Sequence, residues 1–179
     1  NFSGPGCFGW KFDGTSGGGR YPSATMYNDL YGCGANNCTV GIYGKRATGL
    51  RVFGGLLDAN DNHASAVVPG TIGLLWQAPG DTLGVFGTRF QSYEIHIDSR
   101  CPGTYVSGTR HESFNTAIRI NGDFCTVMPG SIDNSLLGGG GTAVYLQSGK
   151  QAFVLGNSIA TVGTRINKGA ATNYVIIDG

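Results

Sequence analysis

The segment LRVFGGLL, residues 50–57, recurs along the chain with substitutions at most positions. Five later segments also have valine as their third residue: LGVFGTRF (83–90), TYVSGTRH (104–111), CTVMPGSI (125–132), AFVLGNSI (152–159) and NYVIIDG (173–179). Glycine follows the valine by two places in four of the six segments, and Pro129 takes that place in a fifth. A short β-branched segment bounded by glycine or proline predicts a strand followed by a turn.

The repeated valines are Val52, Val85, Val106, Val127, Val154 and Val175. Three of their five intervals are identical, and the two longer ones are explained by loops inserted at a turn. All of them fall within the range of roughly 20–50 residues that is typical of repeat architectures.

A second series of short apolar segments lies between the first: TIGLLW (71–76), EIHIDS (94–99), AIRING (117–122), AVYLQS (143–148) and TRINKG (164–169). In this series Ile72, Ile95, Ile118 and Val144 recur at nearly the same interval as the valines. No long stretch has the i, i+3, i+4 spacing of an amphipathic helix. Two strand series with the same order and nearly the same period therefore predict coils that stack along one axis and bury their inner faces on each other.

This pattern covers roughly residues 38–179 and resembles the right-handed parallel β-helix proteins of the pectate-lyase-like class, most of all a fragment of a bacteriophage tailspike or tail fibre. The predicted fold is all-β, a right-handed parallel β-helix (solenoid) of about five to six coils. Residues 1–37 are rich in glycine and do not follow the repeat, so we expect an irregular lead-in or cap there. Within that segment, Trp10 either plugs the first coil or offers its ring to a sugar.

The composition excludes several classes of partner. Glycine accounts for 32 of the 179 residues, charged residues for 13%, and the formal net charge is +1. Such a balance gives no basic surface for nucleic acid and no cationic run for an anionic membrane. No apolar run approaches the length of a membrane span. The chain begins with Asn1 rather than methionine, so we expect a processed form or a fragment.

Side chains alternate between the two faces of a strand, which predicts the interior and exterior of the second series. We expect Ile95, Ile97, Ile118, Ile120, Val144 and Leu146 to face inward. The outward residues are then Glu94, His96, Asp98, Ala117, Arg119, Asn121, Ala143, Tyr145, Gln147, Arg165 and Asn167. Among these, Asp98, Asn121, Gln147 and Asn167 stand at strand ends, and we expect them to form a hydrogen-bonded ladder.

The first series is apolar on both faces. If its valines point inward, the opposite face carries an apolar stripe of Phe53, Phe86, Met128, Leu155 and Ile176, flanked by Tyr105, Phe153 and Tyr174. A large exposed apolar patch is typical of an interface, although a loop of the same chain is an alternative cover. We expect self-association along the helix axis, and the resemblance to tailspikes implies a homotrimer.

The resemblance also implies a function: recognition of a host-surface polysaccharide during attachment, with or without depolymerase activity, by a protein outside the cell or on a virion. A glycoside hydrolase needs two carboxylates at a defined separation. Glu94 and Asp98 share one predicted face, about 13 Å apart along the strand, and Glu112 follows the next turn. These three are the candidate catalytic residues.

The candidate binding residues are His96, Arg119 and Tyr145. A tyrosine ring suits a sugar face, and a guanidinium suits a carboxylate or hydroxyl group. A lyase would use a basic residue instead, with His96, Arg119 or Arg89 as candidates, whereas the aspartate cluster of the pectate-lyase calcium site has no clear counterpart. A secreted monomeric lyase or hydrolase and a non-enzymatic adhesive solenoid remain alternatives. The absence of CxxC or HxxxH spacing predicts no metal site, and we expect no cofactor.

Two smaller expectations concern arginine and cysteine. Arg89 and Arg110 hold equivalent positions in GTRF and GTRH and would repel each other if stacked, so we expect each to have an acceptor, either a turn carbonyl or Glu112. Cys33 and Cys38 are close enough for a local bridge. Cys101 and Cys125 are expected near one corner of adjacent coils, as either a bridge or buried thiols.

Overall fold

The computed structural model describes residues 4–13, 25–26, 28–60 and 66–177. These residues form a parallel β-solenoid of about six turns, with one short 3-10 helix at Ser135–Leu137. The fold confirms the predicted all-β class and the parallel β-helix architecture. Each coil nevertheless contributes three strands rather than the two that the sequence series predicts.

All strand pairings within the three sheets are parallel. Sheet A consists of β1 (Gly4–Asp13), β5 (Cys38–Lys45), β8 (Val68–Gln77), β11 (Tyr93–Ser99), β14 (Thr116–Ile120), β17 (Thr142–Leu146) and β20 (Thr164–Asn167). Sheet B consists of β2 (Thr25–Met26), β3 (Asp29–Tyr31), β6 (Ala47–Phe53), β9 (Asp81–Phe86), β12 (Thr104–Ser107), β15 (Thr126–Val127), β18 (Phe153–Leu155) and β21 (Val175–Ile177). Sheet C consists of β4 (Gly34–Asn36), β7 (Leu56–Asp58), β10 (Arg89–Gln91), β13 (Arg110–Glu112), β16 (Ser131–Asp133) and β19 (Ser158–Ala160).

In four of the six segments, the glycine two places after the repeated valine lies at the corner between sheets B and C. Gly87 and Gly108 have φ of 62° and 63°, a left-handed conformation that glycine adopts without steric cost. The chain turns there and continues as a three-residue strand, which is why one apparent segment of the sequence contains two strands. Ser92 and Ser113, with φ of 63° and 57°, turn the chain again from sheet C into sheet A.

Behind sheet B, the repeated valines form one buried column. Val52, Val85, Val106 and Val127 are each at most 1% exposed. In the last coil the register brings Ile176 beside Val154, while Val175 is 44% exposed. The prediction that Val175 faces inward and Ile176 outward is therefore wrong.

The alternation predicted for sheet A fails between His96 and Ile97. His96 and Ile97 are consecutive, yet both are fully buried. Ala117 and Ala143 are also fully buried, so the outward orientation predicted for these two residues and for His96 is wrong. Gly73 lies on the coil before His96, and a Cβ added to it would come within 2.8 Å of the Phe90 ring.

The register of sheet A also differs from the prediction. Ile118 pairs with the buried Ile97 rather than with Ile95, which is only half-buried although it was predicted to face inward. The register then places Asp98, Arg119, Tyr145 and Asn167 in one row. The predicted ladder of Asp98, Asn121, Gln147 and Asn167 is therefore not formed.

The solenoid begins earlier in the chain than the sequence repeat indicates. Within residues 1–37, predicted to be irregular, β1 pairs with β5, β3 with β6 and β4 with β7. Trp10 lies in register with the fully buried Ile42 and donates its indole N–H to the Gly34 carbonyl at 3.2 Å. Trp10 is 38% exposed, and its role as a plug or as a sugar-binding ring stays a prediction.

Cys101 and Cys125 lie on adjacent coils, and the Cys125 thiol contacts the Cys101 carbonyl at 3.9 Å. Both are buried free thiols, so the predicted proximity is correct but no bridge is formed. Cys33 is also a free thiol, which excludes the local bridge to Cys38 in this structure. Burial raises the pKa of Cys101 to about 12, a change that makes a thiol inert towards oxidation.

Candidate functional site

The outer face of sheet A brings together three of the predicted site residues. Asp98, Arg119 and Tyr145 occupy the same position on three successive coils, one at the end of β11 and the others on β14 and β17. Neighbouring strands lie about 4.8 Å apart, so each side chain can reach the next. Asp98 faces outward but is fully covered, because two arginine side chains lie over it.

The Asp98 carboxylate is the anchor of this site. Arg119 donates to it through Nε at 3.0 Å and Nη2 at 2.5 Å, and Arg100 donates through Nε at 3.0 Å and Nη2 at 2.7 Å. The hydrogen bonds that Arg119 donates to Asp98 raise the pKa of Arg119, with burial opposing the shift. One buried carboxylate thus fixes two guanidinium groups at the surface and leaves one positive charge in excess.

Tyr145 extends the site along the solenoid axis. Its side chain is half-buried and stands beside Arg119, as the sequence analysis predicts, with exposed Asn167 on the following coil. A ring, a fixed guanidinium and an amide in one row offer apolar contact and hydrogen bonds to the same ligand.

Glu94 lies at the opposite end of β11 from Asp98. Its carboxylate accepts the Gly70 backbone N–H at 2.6 Å, so it binds the backbone of β8 near the start of that strand. Its negative charge also contributes to the raised pKa of Arg119. The structure does not join Glu94 and Asp98 into a catalytic pair, because each carboxylate is engaged by different groups.

Glu112 belongs to another face of the solenoid. It ends β13 in sheet C, where Arg89 donates to Oε2 at 3.1 Å and 2.6 Å and Arg110 donates to Oε1 at 2.5 Å. The expectation that Arg89 and Arg110 each have an acceptor is confirmed, and of the two alternatives the acceptor is Glu112 rather than a turn carbonyl. The three candidate catalytic carboxylates are therefore spread over two sheets rather than gathered around one point.

His96 lies in the interior and not on the binding face. Its Nδ1 is 3.1 Å from Nδ1 of His111, and both rings stack on Phe90, with Phe114 packed edge-on against His96. His111 also contacts the Thr109 hydroxyl through Nε2 at 2.9 Å. Burial lowers the pKa of His111 to about 3. Burial and the adjacent His111 lower the pKa of His96 as well.

This arrangement suits binding better than acid–base chemistry. A glycosidase needs one carboxyl group to donate a proton and a second to act as base or nucleophile. Both oxygens of Asp98 and of Glu112 accept hydrogen bonds from arginine, so neither carboxylate presents a free oxygen to a glycosidic bond. Among the described residues, no group of three or more His, Cys, Asp or Glu side chains is placed to hold a metal ion.

Arg100 is the functional residue that sequence reasoning missed. It stands two places after Asp98 in IDSR and turns back over the carboxylate. Residues two places apart in a strand share a face, so this spacing was the available signal. It was obscured because Asp98 was assigned to a ladder of strand-end residues.

The outer face of sheet B is a second candidate surface, and it is apolar. Rings from successive coils stack: Tyr31 on Phe53 at 4.9 Å, Phe53 on Phe86 at 5.0 Å, and Tyr105 beside Phe86 at 5.6 Å between centroids. Of the predicted stripe, Phe53, Phe86, Met128 and Leu155 are half-buried on this face, and Ile177 stands where Ile176 was expected. Tyr31 is 68% exposed and was not predicted to be part of it.

The stacked rings present their edges rather than their faces to solvent. The Tyr31–Phe53 and Phe53–Phe86 interplanar angles are 8° and 13°, so each face of Phe53 lies against another ring. A sugar stacks on an exposed ring face, whereas an apolar ridge of ring edges suits packing against another apolar surface.

No protein-family model, no curated protein and no solved structure matches this chain. No helix in the described part of the chain has the length and apolar character needed to cross a membrane.

Proposed function

We propose that this chain binds polysaccharide through the outer face of sheet A and is part of a surface spike of the tailspike kind, outside the cell or on a virion. The observation that carries the proposal is the row formed by Arg119 and Tyr145 over the buried Asp98. A guanidinium held by a buried partner loses little entropy on binding. The adjacent ring supplies contact area for a sugar.

Recognition without cleavage is the form of this function that the geometry favours. The carboxylates of Asp98 and Glu112 accept hydrogen bonds from arginines, and the Glu94 carboxylate accepts a backbone N–H of β8. A depolymerase would need a pair of carboxyl groups able to exchange protons around one glycosidic bond. The spike therefore acts in attachment rather than in degradation.

Self-association is the second part of the proposal, with the homotrimer as the expected state. The apolar face of sheet B runs along the solenoid axis and carries half-buried Phe53, Phe86, Met128 and Leu155. Full burial of an apolar side chain contributes about 1.5–3 kcal/mol, and these half-buried side chains would gain the remaining part of that energy towards the entropy cost of association. Parallel packing of several solenoids through this face leaves sheet A accessible to glycan.

The binding proposal is tested by affinity electrophoresis through gels that contain purified bacterial capsular or O-antigen polysaccharides. We expect at least one polysaccharide to retard the wild-type protein and Tyr145→Ala to weaken that binding about tenfold. Tyr174→Ala, which removes a tyrosine exposed outside sheet A, serves as the matched control and should bind like the wild type. Equal retardation of both variants would exclude the sheet A face, and release of reducing ends by the wild type would restore the depolymerase function.

A further inference from the structure

The outer face of sheet C places two arginines on one buried carboxylate. Arg89 and Arg110 are in register on adjacent coils, so their guanidinium groups are stacked one coil apart. Arg89 donates to Glu112 through Nε and Nη2, whereas Arg110 donates through Nη2 alone. A single carboxylate neutralises one of the two cations, and one positive charge is left over.

The three charged side chains of this triad differ in exposure. The side chain of Glu112 is 10% exposed, whereas those of Arg89 and Arg110 are 43% and 59% exposed. The negative charge therefore lies beneath the surface and the positive charge upon it. The remaining N–H groups of the Arg110 guanidinium have no partner among the described residues, so they can donate to a ligand.

On the neighbouring coils, no described residue in the row of the two arginines carries a negative charge. In the row of the two arginines, Leu56 precedes Arg89, while Ser131 and then Ser158 follow Arg110. Both serines are exposed. Asp133 stands beside Glu112 on the next coil, but its two oxygens accept the backbone N–H and the hydroxyl of Ser135 at 2.9 Å and 3.0 Å. Both oxygens of Asp133 are therefore occupied by Ser135 rather than by an arginine of the triad.

We propose that the Arg89–Glu112–Arg110 triad is a carboxylate-binding site for the uronic acid units of an acidic polysaccharide. Guanidinium groups bind carboxylates through paired N–H donors, and the arginines are already positioned by Glu112. Hydroxyls of Ser131 and Ser158, on the next two coils, continue the row with donors and acceptors for sugar hydroxyls. The site lies on a different sheet from Tyr145 and specifies the charge of the ligand, so it deepens the polysaccharide-binding function proposed above and rests on it.

The test is a calorimetric titration of the protein with oligogalacturonate, with dextran oligomers as the neutral probe. Arg110→Gln removes the excess charge while Arg89 continues to neutralise Glu112, so the fold is preserved. We expect its affinity for oligogalacturonate to fall about tenfold and dextran to show no binding to this site. Arg51→Gln deletes an equally exposed arginine from sheet B and is the matched control for net charge.

A reciprocal variant sharpens the result. Glu112→Gln leaves both arginines and doubles the excess charge, so we expect oligogalacturonate to bind at least as tightly as to the wild type, and less tightly as salt is added. Unchanged affinity in Arg110→Gln, or an equal loss in Arg51→Gln, would overturn the site. Binding that is lost in Tyr145→Ala but unchanged in Arg110→Gln would overturn it too, and would leave the sheet A proposal standing.

Discussion

The outer faces of sheets A and B belong to the same coils but follow opposite rules. On sheet A the residues of one row change from coil to coil, from Leu75 to Asp98, Arg119 and Tyr145. On sheet B one row repeats aromatic residues, with Phe53 stacked on Phe86. The parallel register brings equivalent positions to within about 5 Å of each other. A repeated ring therefore stabilises the stack, whereas a repeated charge destabilises it unless an opposite charge binds both, as Glu112 does for Arg89 and Arg110.

The interiors behind the two sheets differ as well. The interior behind sheet B is a column of buried valines. Behind sheet A, His96 is buried against His111. Buried valines keep their environment at any pH. A buried imidazole pair requires at least one ring to be neutral, because protonation of both would place two positive charges within 3.1 Å. We therefore expect the stability of the sheet A side, unlike that of the sheet B side, to depend on pH.

The largest expected effect concerns the apolar face. Phe86→Asp combined with Met128→Asp places two charges within the surface proposed to pack against other copies, where desolvation opposes association. We expect light scattering to report an oligomer for the wild type and the mass of one chain for the double variant.

Gln147→Asp combined with Asn167→Asp is the control, because it adds the same charge to exposed positions of sheet A. This variant should keep the mass of the wild-type oligomer. A wild-type protein that already has the mass of one chain would exclude the interface and favour a monomeric carbohydrate-binding protein or enzyme.

The second expected effect is a pH dependence of the free energy of unfolding, which the buried histidines cause and the valine column does not. The pKa of His111 is lowered to about 3 and that of His96 is also lowered, so between pH 6.5 and 3 the unfolded chain binds more protons than the folded one. Stability is therefore complete above pH 6.5 and declines as the pH falls. Denaturant unfolding should show a loss of about 4 kcal/mol between pH 7.5 and pH 5, if both imidazoles titrate in the unfolded chain.

The double variant His96→Leu, His111→Leu tests the origin of this slope. It removes both imidazoles while the nearby carboxylates remain, and most of the dependence between pH 7.5 and pH 5 should disappear. A variant with the same slope as the wild type would show that other groups carry the pH dependence.

The third effect compares two arginine–aspartate pairs with the same donor atoms. Arg119 binds Asp98, whose side chain is 0% exposed, and Arg51 binds Asp29, whose side chain is 26% exposed. Arg119→Ala leaves a buried carboxylate with Arg100 alone, and we expect a loss of about 2 kcal/mol in the free energy of unfolding. Arg51→Ala should be indistinguishable from the wild type by denaturant unfolding. Equal losses would mean that Asp98 is hydrated more than its burial indicates.

The sequence was sufficient for those features that repeat. Short β-branched segments that recur at a nearly constant interval predicted the strands, and the first four valines of the series lie where the pattern places them. The third sheet was missed because Gly87 and Gly108 resemble ordinary turn residues in the sequence, although each divides one segment into two strands. Repetition identifies a strand more readily than it identifies a corner.

The positions of the candidate site residues depend on the register of sheet A and on the break in alternation between His96 and Ile97. The sequence pattern encodes neither feature. Ile118 was aligned with Ile95 because both begin apolar pairs, and the true partner Ile97 lies one pleat further on. The pairing of Asp98 with Arg119 was lost with that shift. His96 was assigned outward by strict alternation, and the contrary signal, the small residues Gly73 and Ala117 at the neighbouring positions, becomes evident only when the coils are in register.

The smallest expected effect comes from extending the aromatic row of sheet B to Ser107, the position after Phe86 that has no ring. Ser107 is in register with Phe86 and follows it on the next coil, so Ser107→Phe would stack a further ring on the row. Aromatic pairs contribute about 0.5–1.5 kcal/mol beyond their buried area, which corresponds to a rise of roughly 1–6 °C in Tm. Ser107→Leu adds apolar area without a ring and is the control. A larger rise for Phe than for Leu would show that ring stacking, rather than burial alone, favours repetition on this face, and equal rises would remove the distinction drawn between its aromatic and its aliphatic residues.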